Sequence, residues 1–387
     1  MAKWSFRVSV NGAVLAWARK SIGYDIHDVA ERLNVSEKLV QMWESGEKKP
    51  TIKELEKLAK MYKRPLMALL LPEPPPEPPM PRDFRTVQTE ERKNLSQKTL
   101  LALRYARRLQ TLMLDLSTVL EHELKPKIWR VSLSEDPEAV AMRARKELGV
   151  SIETQFGWKN EEEALEEWIK GVQDRGVLVS QQNMGEVEEV RAFSLTGAVP
   201  VIVLNNKDST TAKICSLLHE FCHLLLNMDG ICDMECPEIL TGDQQRIEWF
   251  CNHFAGAFLV PKDALLSHEI VKETKSEEWS QDVLKAIAKD FKVSPEVILR
   301  RLVIVGKVSP EFYSEMREFW KSLEAKTVKR GGRKPAKECI RKNSPVFVSY
   351  VLEAYDKDLI SYHDVADYLS IRTKYIPEIR RLVRESA

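Results

Sequence analysis

The stretch LLHEFCHLLL, residues 217–226, places two histidines and a glutamate in the middle of an apolar helix. A buried helix normally keeps charge off its core face, so the cost of burying His219, Glu220 and His223 must be offset. Residues four apart on a helix project from the same side, which lets His219 and His223 hold one metal ion between their imidazoles. The alternative is a pair of hydrogen-bonded core histidines. The run of strands before this helix and a second helix after it favour the metal site.

The order His-Glu-x-x-His is also the arrangement that zinc peptidases carry on one helix. Bound zinc lowers the pKa of water to about 7, so hydroxide becomes available at neutral pH. Glu220 is expected to take the proton during attack and to deliver it to the leaving amine. We therefore predict Zn²⁺ as the cofactor and Glu220 as the catalytic residue.

A catalytic zinc needs a third protein ligand. The run IEWFCNHFAGAFLVP, residues 247–261, offers Glu248, which follows His223 at a distance that allows a loop and a return helix. We expect Glu248 to be this ligand and Asn252, one turn later, to support it through a hydrogen bond. His253 ranks second as a ligand, since it could equally orient the substrate or the third ligand. Acidic residues in or beside the connecting loop rank lower: Asp229, Asp233, Glu235 and Asp243.

Five of the six cysteines fall between residues 215 and 251. Cys232 and Cys236, with Cys222 or Cys251, could bind a structural zinc or sense oxidation. The spacing contains no CxxC pair, however, and small buried thiols are the simpler interpretation.

Residues 25–50, DIHDVAERLNVSEKLVQMWESGEKKP, show a helix-turn-helix pattern. Its second helix, predicted from Ser36 to Trp43, would enter the DNA major groove and present Ser36, Lys38 and Gln41. The whole chain has a net charge of only +1, but residues 1–70 carry 13 Lys+Arg against 8 Asp+Glu, which favours phosphate contact. Glu37 is a contrary sign. The alternative is a small helical bundle that binds protein.

Two segments are predicted to separate parts of the chain, namely PEPPPEPPMP at residues 72–81 and the basic VKRGGRKPAK at residues 328–337. The predicted class is α+β and predominantly α-helical, with a helix-turn-helix bundle, a peptidase domain with a small sheet and a helical C-terminal region. One strand is expected to start with residues 176–179, and two further strands are expected at 190–195 and 199–204. The predicted boundaries are 1–71 for the DNA-binding domain, 72–83 for a proline-rich linker, 84–125 for a connecting helix, 126–325 for the zinc metallopeptidase domain, 326–342 for a basic linker and 343–387 for a C-terminal helical segment.

The sequence shows neither a secretion signal nor a membrane-spanning stretch, so we expect a cytoplasmic protein with no membrane partner. Reduced cysteines are the corresponding expectation.

The segments LAWARKSIGYDIHDVAERL, MWESGEKKPT and PRDFRT resemble the Xre-type helix-turn-helix regulators fused to ImmA/IrrE-type metallopeptidases. The middle segments RAFSLTGAVPVIVLNN, LLHEFCHLLL and EWFCNHFAGAFLVP support the resemblance, as does the later DFKVSPEVILRRLVIVGKVS. The likeness covers about nine-tenths of the chain. Two cysteines depart from the family pattern, Cys222 where Gly is common and Cys215 where Phe is common, and neither is a ligand position.

The resemblance implies a gluzincin-like site in which His219, His223 and Glu248 bind zinc and Glu220 is the general base. It also implies a protein substrate, a helix-turn-helix repressor whose cleavage derepresses stress or mobile-element genes. DNA is the second implied partner, and regulators of this type often form homodimers. An extended substrate segment is expected to pair with a strand at 191–195 or 199–204.

Two other functions compete with a DNA-binding zinc endopeptidase. The first is a transcriptional regulator or antitoxin-like protein whose zinc domain is a sensor or scaffold without proteolysis. The second is a protein-interaction hub with neither activity, which would bind no stoichiometric metal.

Overall fold

The computed structural model describes residues 6–83, 95–232, 242–274, 279–323 and 334–386. Two compact units emerge from the contacts within it. The first takes the described residues within Met1–Met80 and Gln88–Arg104, and the second takes those within Pro81–Val87 and Tyr105–Ala387. No helix among the described residues is long and apolar enough to cross a membrane.

The first unit is a bundle of short helices. They are α1 (Gly12–Lys20), α2 (Ile26–Leu33), α3 (Glu37–Ser45), α4 (Ile52–Tyr62) and a 3-10 turn over Leu66–Leu70. Ser36 caps α3, and Thr51 with Glu54 forms the capping box at the start of α4 that their spacing predicts. Asn34 takes the left-handed conformation that turns the chain from α2 into α3.

Two contacts fix α3 against α1 in this bundle. A Cβ at Gly12 would lie 2.0 Å from the carbonyl oxygen of Glu44, so only glycine allows the two backbones to approach this closely. The side chain of Glu44 also accepts two hydrogen bonds from the guanidinium of Arg19, at 2.7 and 2.9 Å. Buried Val40 and Trp43 of α3 complete the packing, as their pattern predicts.

The long helix α5 (Gln97–Val119) is divided between the two units after Arg104. In the first unit the Arg104 guanidinium donates to the carbonyl oxygens of Ser21 and Lys63. In the second unit the amide of Gln110 donates to the carbonyl oxygens of Thr196 and Val199.

The second unit contains a five-stranded mixed sheet. Its strands are β1 (Arg82–Asp83), β2 (Leu178–Gln182), β3 (Ala192–Leu195), β4 (Val201–Asn205) and β5 (Gly230–Cys232), in the order β1-β5-β3-β4-β2. β3 is antiparallel to both β4 and β5, while β2 is parallel to β4 and β1 is parallel to β5.

This strand order adds a condition to one expectation from the sequence. The strands near 191–195 and 199–204 were expected to pair with an extended substrate. However, β3 lies between β4 and β5, and β4 lies between β2 and β3. Both strands therefore have chain segments on their two hydrogen-bonding edges, and neither offers a free edge.

Helices surround the sheet of the second unit. They are α6 (Pro137–Leu148), α7 (Ile152–Gly157), α8 (Glu161–Gln173), α9 (Thr210–Leu225), α10 (Gly242–Leu259), α11 (Lys262–Ser267), α12 (Glu269–Glu273), α13 (Gln281–Phe291), α14 (Pro295–Ile304), α15 (Pro310–Leu323), α16 (Pro335–Asn343), α17 (Pro345–Asp356), α18 (Tyr362–Tyr368), a 3-10 turn over Thr373–Tyr375 and α19 (Ile376–Ser386). Buried side chains of the sheet and of α8, α9, α10, α13 and α14 share one continuous core. The fold class is therefore α+β and mainly helical, as predicted.

The segment expected to be a basic linker, 326–342, is partly helical. Its residues up to 333 lie outside the described residues, but Pro335 starts α16. Ala336, Cys339 and Asn343 are buried along one side of this helix, and the Ser180 hydroxyl of β2 donates to the Lys342 carbonyl oxygen at 2.5 Å. A buried stripe at helical spacing, hidden among lysines and arginines in the sequence, explains the difference.

Candidate metal centre

Helix α9 carries the motif of the opening stretch into the core of the second unit. His219, Glu220 and His223 are fully buried, although each is polar or charged. The helix begins at the cap Ser209 and packs against β3, β4, α8 and α10. The apolar residues around the motif bury it in the core. The three polar side chains therefore need partners inside the protein.

Helix α10 brings Glu248 to the two histidines. Its Oε1 lies 3.0 Å from Nε2 of His223, and its Oε2 lies 3.2 Å from Nε2 of His219. The two imidazole Nε2 atoms lie 3.1 Å apart. Among the described residues, these three side chains form the one group of histidine, cysteine or acidic residues that could share a metal ion.

The three ligand atoms fit a zinc ion. Ligand atoms about 2 Å from a tetrahedral zinc lie roughly 3.3 Å from one another, close to the three observed separations. The two Nε2 atoms lie within hydrogen-bond distance of each other, and two nitrogens that both lack a proton cannot form a hydrogen bond with each other. A cation at their shared focus would satisfy both of them together with the carboxylate, and two imidazoles with one carboxylate are a ligand set typical of catalytic zinc.

The charges in the cluster also favour a bound cation. Burial raises the pKa of Glu248, but the two neighbouring imidazoles lower it by a larger amount. The pKa of Glu248 therefore lies well below the usual value. Burial lowers the pKa of His223, but its neighbours Cys251 and Glu248 raise it well above the usual value overall. The cluster therefore holds an ionised carboxylate that favours positive charge beside it, which a divalent cation would supply.

One residue of α10 orients an imidazole. Asn252 Oδ1 accepts a hydrogen bond from Nδ1 of His219 at 3.1 Å, which leaves the Nε2 lone pair pointing at the shared focus. The sequence predicted a supporting role for Asn252, with Glu248 as its target rather than His219. Cys251 of the same helix lies beside both His223 and Cys222, a proximity that the sequence did not reveal.

Glu220 faces β3 rather than the three-residue cluster. Its Oε2 accepts a hydrogen bond of 2.7 Å from the hydroxyl of Ser194, which is itself buried. Within the described part of the chain, the buried Oε1 atom has no hydrogen-bond partner. Burial raises the pKa of Glu220 above its usual value. A carboxylate with one fixed oxygen and one open oxygen can accept a proton at a defined position.

The structure places His253 in a different network. Its Nε2 lies 2.8 Å from Oε1 of Glu138. The two oxygens of the Glu138 carboxylate also accept one hydrogen bond each from the buried guanidinium of Arg301. Burial raises the pKa of Glu138, but the hydrogen bonds from His253 and Arg301 lower it to about 2. His253 is thus held away from the cluster of His219, His223 and Glu248.

The lower-ranked acidic residues also stand apart from the cluster. Asp229 accepts hydrogen bonds from Thr196, and Asp243 is exposed at the start of α10. Asp233, Glu235 and Cys236 lie outside the described residues, as does the side chain of Cys232. Cys222 and Cys251 are buried free thiols, which agrees with the simpler interpretation of the cysteines.

On the first unit, the three residues predicted to meet DNA are exposed. Lys38 and Gln41 lie on the outer side of α3, and Ser36 is also the N-cap, whose side chain accepts from the Leu39 amide. Glu37, which argued against DNA, lies beside a histidine: its Oε1 is 2.9 Å from Nδ1 of His27, and this contact raises the pKa of His27 above its usual value.

Two family models match the chain. A helix-turn-helix model matches residues 15–69, and a model of the M78 peptidase family, described as the IrrE N-terminal-like domain, matches residues 172–303. The first match contains α3, and the second contains all of α9 and α10. No curated protein matches the chain significantly. The predicted fusion of these two domain types is confirmed.

Proposed function

Because the chain joins a helix-turn-helix domain to an IrrE N-terminal-like domain of the M78 peptidase family, we propose that it is a DNA-binding regulator with zinc-dependent endopeptidase activity. The proposed substrate is a helix-turn-helix repressor, whose cleavage derepresses stress or mobile-element genes. The observation that carries the proposal is the convergence of His219, His223 and Glu248 on one focus, with Glu220 on the same helix turn.

In the proposed mechanism, Nε2 of His219, Nε2 of His223 and the carboxylate of Glu248 hold Zn²⁺. When bound, the ion supplies Lewis-acid chemistry to water and to a peptide carbonyl. The Ser194 hydroxyl holds one oxygen of Glu220, so the other oxygen takes up the water proton at a fixed place. The raised pKa of Glu220 lets the same carboxyl group deliver that proton to the leaving amine.

The regulator half of the proposal rests on the first unit. Ser36, Lys38 and Gln41 are proposed to contact DNA, with the lysine at phosphate and the glutamine at a base edge. The repressor substrate and a homodimeric assembly follow from the family resemblance alone. A cytoplasmic location is proposed on the same ground.

The substitution Glu220→Gln tests the proposal. It removes the proton acceptor and keeps the three ligands, so we expect the variant to retain one zinc per chain by elemental analysis and to lose cleavage of a candidate repressor. Glu167→Gln, the same chemical change on the exposed face of α8, serves as the matched control and should cleave normally. Equal cleavage by the wild type and Glu220→Gln rejects the peptidase.

The competing function, a regulator whose zinc domain senses or scaffolds without proteolysis, is favoured by one contact. Cys251 lies beside both His223 and Cys222, so oxidation of this thiol pair would disturb a proposed ligand. A wild-type protein that binds zinc, binds DNA and leaves every candidate repressor intact would select this function.

A further inference from the structure

Strand β5 occupies the edge of β3 that lies beside the catalytic carboxylate. Gly230 is the register partner of Ser194, and Cys232 is the partner of Ala192. The Ser194 hydroxyl is the group that holds Glu220. Since neighbouring strands lie about 4.8 Å apart, the backbone of β5 runs about that distance from the backbone of Ser194, the residue that holds Glu220.

This edge is the place that an extended substrate would need. The other edge of β3 is paired with β4 over all four of its residues, inside the sheet. A polypeptide segment that lies along β3 near Glu220 must therefore take the position of β5. The chain itself fills that position with a three-residue strand.

A side-chain clamp holds the start of β5. Asp229, the residue before the strand, accepts hydrogen bonds at Oδ1 from the Thr196 backbone amide at 2.5 Å and from the Thr196 hydroxyl at 2.6 Å. Thr196 follows directly after β3, so the carboxylate ties the two strands together at one end. Hydrogen bonds to a charged group are stronger than neutral ones, so this carboxylate holds the start of β5 firmly against the end of β3.

The outer edge of β5 is covered as well. Arg82 of β1 pairs in parallel with Gly230, and the neighbouring Pro81 is buried. These residues stand at the end of the proline-rich spacer that follows the first unit in the chain. Among the described residues the latch consists of Arg82 and Asp83, which form two register pairs with β5.

Resting on the proposed peptidase function, we propose that β5, clamped by Asp229 and latched by β1, is an intramolecular plug in the substrate position along β3. A protein substrate reaches Glu220 by displacing the plug with an extended, mobile segment of its own. The peptidase is therefore restrained by its own chain, and an intact folded protein without such a segment is excluded.

Hydrogen exchange tests the clamp in the full-length chain. Asp229→Ala removes both bonds, and Thr196→Val removes the hydroxyl bond and keeps the amide. We expect exchange at the amides of β5 to accelerate about tenfold in Asp229→Ala and by a smaller factor in Thr196→Val. Asp364→Ala, which removes the capping carboxylate of α18, is the control and should leave β5 unchanged. Unaltered exchange in both clamp variants overturns the proposal.

A binding measurement tests the plug separately from catalysis. In the Glu220→Gln background, fluorescein-labelled casein serves as an extended polypeptide that is bound and not cut. We expect Asp229→Ala to lower its Kd about tenfold, matching the accelerated exchange. Faster exchange with an unchanged Kd overturns the plug. A wild-type protein that cleaves nothing rejects the peptidase function, and the Kd comparison still decides the plug.

Discussion

Asn252 Oδ1 accepts a hydrogen bond from Nδ1 of His219 at 3.1 Å, and it thereby fixes which nitrogen of that imidazole is free to bind a metal ion. The two residues come from different helices, so the contact also sets the rotation of α10 against α9.

This contact predicts the effect of Asn252→Ala. Loss of a supporting hydrogen bond to a ligand histidine typically costs about 10–100-fold in metal affinity. We expect that decrease in zinc affinity, measured by competition with a coloured chelator. Asn206→Ala, at an exposed asparagine after β4, is the control. Equal zinc affinity in the wild type and Asn252→Ala would show that His219 needs no such support.

Ser194→Ala tests the support of the base. The substitution leaves Glu220 and the metal ligands in place and removes the hydroxyl at 2.7 Å from Oε2. We expect kcat to fall about tenfold, the cost of one hydrogen bond to a charged group, with zinc content unchanged. Ser194→Thr restores a hydroxyl and should recover part of the rate. A normal kcat in the alanine variant would remove Ser194 from the proposed site.

The network of Glu138, His253 and Arg301 predicts a pH dependence of stability. The pKa of Glu138 is lowered from 4.5 to about 2 in the folded chain. The ionised carboxylate therefore stabilises the fold above pH 4.5, and this contribution is lost as the pH falls through about 2. We expect Glu138→Gln to reduce the free energy of unfolding by about 2 kcal/mol at pH 7, allowing for its partial exposure.

The difference between the wild type and Glu138→Gln should shrink as the solution is acidified, which urea unfolding at a series of pH values can measure. A constant difference over that range would contradict the assigned pKa. Glu147→Gln, an exposed change on the same helix, controls for the loss of a surface charge.

Lys38→Ala tests the DNA-binding surface on a random-sequence duplex of about 30 base pairs. Loss of one phosphate contact should weaken binding and lower the slope of log Kd against log salt by about 0.9. Gln41→Ala should leave this nonspecific binding unchanged, since a glutamine that contacts base edges matters only at an operator. Lys170→Ala on α8 is the matched control. An unchanged slope in Lys38→Ala would show that DNA binds to another surface of the protein.

The sequence predicted the features that local pattern controls. Helix α8, Glu161–Gln173, is one such feature, because an asparagine cap precedes it and its apolar residues recur at helical spacing. The motif on α9 predicted which side chains share a face, because that relation needs only the helical repeat. The spacing between His223 and Glu248 predicted that Glu248 would lie beside the two histidines, and the structure brings the three side chains together.

Other features depend on contacts between distant residues. Strands β1 and β5 have two and three described residues, too few for an alternating pattern to show in that part of the chain. Ser194 sits in a run, AFSL, whose four residues are all buried, so nothing local distinguishes its role. Its partner Glu220 lies 26 positions away and is joined to it only by the packing of α9 under the sheet.

Helix α10 carries both Glu248 and Asn252, one turn apart, so a proposed ligand and the residue that orients His219 belong to the same helix. A slip of α10 along α9 would break both contacts in one movement. The affinity of the proposed centre for metal should therefore depend on how closely these two helices are docked.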